Sequence, residues 1–231
     1  MGSNVCLTND PFALEWVESH QIQARRNASL GDASNFHGDA YNSIQRAHTA
    51  LAEGLGTIAK LVKDPTKTEV VKHEVAERVA NHVVGTLEQS ASVFRSVSAA
   101  LANQANEAIA DAFAIDEKRI GIHAEIREWI RQTAKVEGGL QTIRKEMAAD
   151  AEIAAVIFQR QHFLLGLASE ARDRLLSDAI EKHVPKAGEK VAQADDLRAL
   201  AIRYSQLGKA VRRSFYNPQM AAQAKLRVEF G

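Results

Sequence analysis

Glu69, His73 and Glu77 stand at four-residue steps, so one helix face would carry carboxylate, imidazole and carboxylate. That is the donor set of a metal edge. A di-iron bundle needs Glu-x-x-His pairs from two helices, and this chain contains no Glu-x-x-His. The other histidines (20, 37, 48, 82, 123, 162 and 183) show neither His-x-x-x-His nor His-Glu-x-x-His spacing. The face therefore reads as solvated, with i,i+4 charge pairing, and no metal or cofactor is expected.

Two further clusters have chemistry to offer. His37-Gly38-Asp39 falls in a loop-like stretch and has a catalytic look, but such tripeptides arise by chance. The chain has no Gly-x-Ser-x-Gly, no Walker loop and no Gly-x-Gly-x-x-Gly. Lys209, Arg212 and Arg213 lie beside Phe215 and Tyr216. Arginines there complement a helix C-terminus, or they contact nucleic-acid phosphate. The balance of 29 Lys and Arg against 29 Asp and Glu gives no global pull toward nucleic acid or anionic lipid. No catalytic residue is assigned, and a non-enzymatic protein is expected.

The strongest pattern is a seam. Ile126, Thr133, Leu140, Met147 and Leu175 fall in one seven-residue series, with Ala154, Gln161 and Ala168 filling its remaining places. Trp129, Val136, Ile143, Ile157 and Leu164 fall in a second series three residues on, interrupted at Asp150. As a and d positions of one long helix, these residues need a partner helix. Gly138 and Gly139 fall on the outer side, where each costs about 1 kcal/mol against Ala and marks a bend rather than an end. Asp150 and Gln161 weaken the seam, as polar core positions that admit solvent or fix register do.

The 231 residues suffice for a sizeable core or one extended helical domain. Prolines 11, 65, 185 and 218 act as punctuation between runs of strong helix formers, and aromatics are only 6%. Pro11, behind Asn9 or Asp10, starts a helix that extends to about Leu30. Residues 31–39 form a loop, and a second helix covers about 40–62, weakened by Gly54 and Gly56. A third, capped by Thr66 or Thr68, extends to about Ile115 along Val75, Val79, Val83, Leu87, Ser90, Phe94, Val97, Leu101, Ala105 and Ala108. The heptad helix occupies about 116–184 and a fifth helix about 186–215, with Val191, Ala194, Leu197, Leu200, Ala201, Tyr204, Leu207 and Val211 on one side. Leu226 to Phe230 alternates like an edge strand.

The expected fold is all-α: an elongated bundle of about five helices, in which two very long ones (about 66–115 and 116–184) form an antiparallel coiled-coil-like hairpin. The expected organisation is an N-terminal helical pair over 1–64, the long hairpin over 65–184, a packed helix over 185–217 and a tail over 218–231.

Cys6 is the only cysteine, which excludes an intrachain disulfide and suggests a free thiol near a frayed terminus in a reducing compartment. Gly2 to Cys6 partly matches an acylation signal, with Cys6 where Ser or Thr is expected. No signal peptide and no conventional transmembrane run is visible, so a cytoplasmic or virion-associated location is expected. Residues 89–106 carry one charge, Arg95, among many Ala and Ser. They suit close helix packing or transient membrane contact. The functional expectation is a self-associating helical subunit of a larger complex, such as an internal or ejection protein of a phage particle, with protein partners and a homo-oligomeric state. The alternative is a membrane-active helical protein, either a pore former or a peripheral coat.

Overall fold

The computed structural model describes residues 5–228. The fold is all-α, and among the described residues no strand forms. Among the described residues ten helices follow one another: α1 Pro11–Gln21, α2 Gln23–Leu30, α3 Gly38–Lys63, α4 Glu69–Ala112, α5 Ile120–Thr133, α6 Gly139–Ala149, α7 Ala151–Gln159, α8 Ser169–His183, α9 Pro185–Phe215 and α10 Pro218–Val228. Short 3-10 turns lie at Ala33–Asn35, Glu117–Arg119 and His162–Leu165. Three of the four prolines open helices, where a missing N–H costs nothing. The chain divides into two compact units. One runs to Ser98 and resumes at Asp195; the other is Ala99–Ala194.

In the first unit α4 packs against α3 and α9. A Cβ added at Gly54 of α3 would lie 2.8 Å from Val83 Cγ2 of α4 and 3.1 Å from the Phe215 ring of α9. That glycine therefore permits close approach and does not weaken the helix, which continues to Lys63. Phe94 meets Tyr204 edge to face at 5.0 Å, and the Tyr204 hydroxyl donates to the Leu30 carbonyl at 2.8 Å. Burial pushes the Tyr204 phenol well above its ordinary range. The α4 stripe holds from Val83 through Leu87, Ser90 and Phe94. Nearer its start, Ala76 and Ala80 are buried while Val75 and Val79 flank the core. On α9 the expected stripe is buried from Ala194 to Val211, and Val191 is exposed.

The single helix expected over 11–30 is two helices. The backbone turns extended at Ile22 (φ −82°, ψ 123°). Arg26 Nη1 donates to the His20 and Gln21 carbonyls at 2.8 and 2.7 Å, satisfying the α1 end. His20 Nδ1 sits 2.8 Å from the Trp16 carbonyl, so it carries the proton, and Nε2 accepts from the Ser29 hydroxyl at 3.0 Å. Cys6 is also not at a frayed end: it is 1% exposed, and its thiol donates to the Ser214 carbonyl at 3.2 Å. Gly2 of the acylation signal lies outside the described residues.

The second unit overturns the long helix over 116–184, and with it the hairpin of two very long helices. That stretch is α5, α6, α7 and α8, separated by turns. Gly138 is left-handed at φ 74°, and a Cβ on Gly139 would fall 1.8 Å from the Thr133 carbonyl oxygen. The glycine pair thus ends a helix and begins the next. Asp150 is the α7 cap, its carboxylate accepting from Glu152 N at 2.8 Å. Gln161 precedes the His162–Leu165 turn. The polar positions in the heptad series are therefore helix boundaries. Arg172 closes one of them: Nε donates to the Ile157 and Arg160 carbonyls at 3.2 and 2.9 Å, and Nη2 to Phe158 at 2.9 Å. In the tail, Leu226–Val228 is helical instead of strand, because α10 continues through it; Glu229 and Phe230 lie outside the described residues.

Candidate functional site

A cleft of about 1080 Å³ lies in the first unit. The N-terminal segment, the start of α4, the end of α9 and the start of α10 build it. The expected solvated face of α4 is not what these elements make. His73 is 4% exposed, and its Nδ1 accepts the backbone N–H of Asn217 at 3.0 Å. Glu77 pairs with Lys225 of α10 at 2.8 Å, which raises the Lys225 pKa. Glu69 is exposed and pairs with Lys72 at 2.9 Å. Helix α10 packs beside His73 and Glu77, with Ala221 and Ala224 buried. Burial pushes the His73 pKa down, opposed by the charge of Glu69.

Asn217 also caps α10: its side-chain oxygen accepts from Gln219 N at 2.9 Å. Arg213 Nε donates to Asp10 Oδ2 at 2.7 Å, and its guanidinium lies 4.4 Å from the Phe12 ring centroid. Asp10 caps α1 through Phe12 N as well. The Arg213 bond holds its carboxyl below the usual range. Arg212 is half exposed and reaches Glu88 only at 4.0 Å. Both arginines occupy the last turn of α9, and both line the cleft. His37, Gly38 and Asp39 are exposed at the start of α3.

The heptad residues divide among elements of the second unit. Ile143, Met147, Ile157 and Leu175 are core, and Ile126 and Trp129 pack half-buried against it. Thr133 is half-buried, while Val136, Leu140 and Leu164 are exposed. No single helix face presents all ten. The exposed heptad residues, with Phe163 beside Leu164, lie at or next to chain turns. Val136 is 60% exposed between α5 and α6, Leu140 45% in the first turn of α6, and Phe163 and Leu164 63% and 39% in the 3-10 turn after α7. Arg131 Nε donates to the Leu164 carbonyl at 2.6 Å, holding that turn against the end of α5. Val136 and Leu140 rim a hollow of about 460 Å³ that reaches Leu175, with Arg144 and Arg174 beside it.

A third polar group was not legible in sequence. Glu152 accepts from His123 Nε2 at 2.9 Å and from Arg119 Nη2 at 2.8 Å. His123 is 5% exposed, so this carboxylate ties the start of α5 to the start of α7 from within. Residues 89–106 lie on α4, with Ser90, Ala91, Phe94, Ser98 and Ala105 buried. Among the described residues no helix is long and apolar enough to cross a membrane. No family model matches this chain, and no curated protein or solved structure matches it either.

Proposed function

We propose that the protein is a non-enzymatic assembly subunit that associates with further copies of itself through the second unit. What supports this is the group of exposed apolar side chains Val136, Leu140, Phe163 and Leu164. Burying what remains exposed of each would gain roughly 0.5–2 kcal/mol. They are held on turns fixed by Gly138 and by the bond from Arg131 to Leu164, so little further ordering opposes contact. Arg144 and Arg174 at the rim suit the polar margin of such an interface.

The test is absolute mass by size-exclusion chromatography with light scattering over a range of concentrations. A defined oligomer is expected, and the combined change Val136→Ser, Leu140→Ser and Phe163→Ser should return it to a folded monomer. A wild-type chain that stays monomeric at all concentrations would sink the proposal. So would an oligomer indifferent to the triple change.

A further inference from the structure

We propose that the cleft between the N-terminal segment, α4 and the α9–α10 junction binds a small organic oxyanion, a phosphate or carboxylate carried on an apolar body. The tautomer of His73 is the first ground. A peptide nitrogen can only donate, so Nδ1, which accepts from Asn217 N, holds no proton. In the neutral ring the hydrogen sits on Nε2. Among the described residues no acceptor takes that hydrogen, although the side chain is 4% exposed. His73 lines the cleft, so this N–H is a donor that an oxyanion held there would accept from.

Charge is the second ground. The two carboxylates of the cleft are engaged: Asp10 by Arg213 and the Phe12 N–H, Glu69 by Lys72. Arg212 keeps its charge with only a 4.0 Å approach to Glu88. The first turn of α10 brings the positive end of its dipole to the same wall through Gln219 and Met220. Arg212 and the start of α10 thus leave positive charge for an anion in the cleft. Leu7, Tyr216 and Met220 supply the apolar part of the lining, which favours an anion with a hydrophobic body over a bare ion. Asp10 is the built-in competitor, since it occupies Arg213 as a ligand oxyanion would.

The experiment titrates the full chain, with histidine ring nitrogens labelled, separately with phenyl phosphate, phenylacetate and inorganic phosphate. Long-range proton–nitrogen NMR reads the ring nitrogens. A saturable shift at His73 Nε2 is expected with at least one of the two aromatic anions, with His20 and His123 unmoved and inorganic phosphate weaker. A response to only one of the two assigns the site to phosphate or to carboxylate. Arg212→Gln should weaken binding about tenfold. Asp10→Asn keeps a capping side chain, frees Arg213 and should tighten binding several-fold. Arg212 is exposed and Asp10 half-buried, so each variant is checked to be folded. No saturable His73 shift with any probe at millimolar concentration would overturn the proposal, as would binding unaffected by Arg212→Gln. Neither result depends on the oligomeric state, so this site and the assembly surface stand or fall apart.

Discussion

The backbone N–H of Asn217 donates to Nδ1 of His73 across 3.0 Å and 144 positions of sequence. One bond therefore docks the start of α10 on the start of α4 and fixes which nitrogen of a buried imidazole carries hydrogen. Protonating Nδ1 would destroy the acceptor. Burial holds the folded pKa of His73 below its ordinary value. Above an unfolded pKa of about 6.5 both states are neutral and the bond contributes fully. As pH falls below that value the unfolded chain takes up the proton first, so stability is lost. His20, also buried with a lowered pKa, adds the same sign. The urea midpoint should fall between about pH 7 and about pH 5. His73→Gln keeps an acceptor oxygen without a titrating group, so its midpoint should fall less steeply. A variant slope equal to wild type would show that His73 titrates alike in both states.

Two glycines of α3 should answer alanine with opposite signs. Gly56 has open space where an alanine methyl would sit, with no neighbouring atom within 4 Å. Gly56→Ala should gain about 0.5–1 kcal/mol by helix propensity. At Gly54 the same methyl meets Val83 at 2.8 Å and the Phe215 ring at 3.1 Å. β-branched Val83 has little rotamer freedom to yield, so Gly54→Ala should lose about 1–3 kcal/mol. Urea denaturation of both variants checks this, and a gain at Gly54 would mean that the helices can move apart at no cost.

Helical periodicity carried much of the fold. The apolar stripes of α3, α4 and α9 and the proline opening α1 are local features, and local features are readable; Pro185 and Pro218 read as helix stops, yet they open α9 and α10. The heptad series misled because period alone does not register a break. Ile143, Met147, Ile157 and Leu175 share one core, but short helices folded on each other bury apolar residues as regularly as one long helix does. The corrective signals were present at Gly138-Gly139 and Asp150, whose chemistry is that of a turn and a cap rather than of tolerated defects in a seam. The cleft had a weaker trace: His73 lies at helical spacing with Ala76 and Ala80, both buried, and alanines mark a buried face poorly. Nothing in sequence could bring Asp10 to Arg213 or Glu152 to His123, since those meetings depend on tertiary packing alone.

The Gly138-Gly139 pair separates the two architectures by sign. In one uninterrupted helix, alanine at either position would gain about 1 kcal/mol. In the observed turn Gly138 is at φ 74°, where alanine costs about 1 kcal/mol or more. At Gly139 a methyl would collide with the Thr133 carbonyl at 1.8 Å, a backbone atom that cannot swing aside. Gly139→Ala should therefore lose about 3 kcal/mol or more. Thermal and urea unfolding of the two variants measures both signs.

Asp150 gives the last test. A leucine there would complete the apolar series of a coiled-coil seam and should stabilise it. In the structure Asp150 accepts the Glu152 N–H at the start of α7, and leucine leaves that N–H without its cap. Asp150→Leu should lose about 1 kcal/mol, whereas Asp150→Asn, which retains a capping oxygen, should lose only a few tenths. The loss should extend beyond the cap, because Glu152 is also the carboxylate that holds His123 and Arg119. Fraying the first turn of α7 loosens both bonds, so amide hydrogen exchange should quicken at the start of α5 as well as in α7. Stabilisation by leucine, or faster exchange confined to α7, would refute this coupling through Glu152.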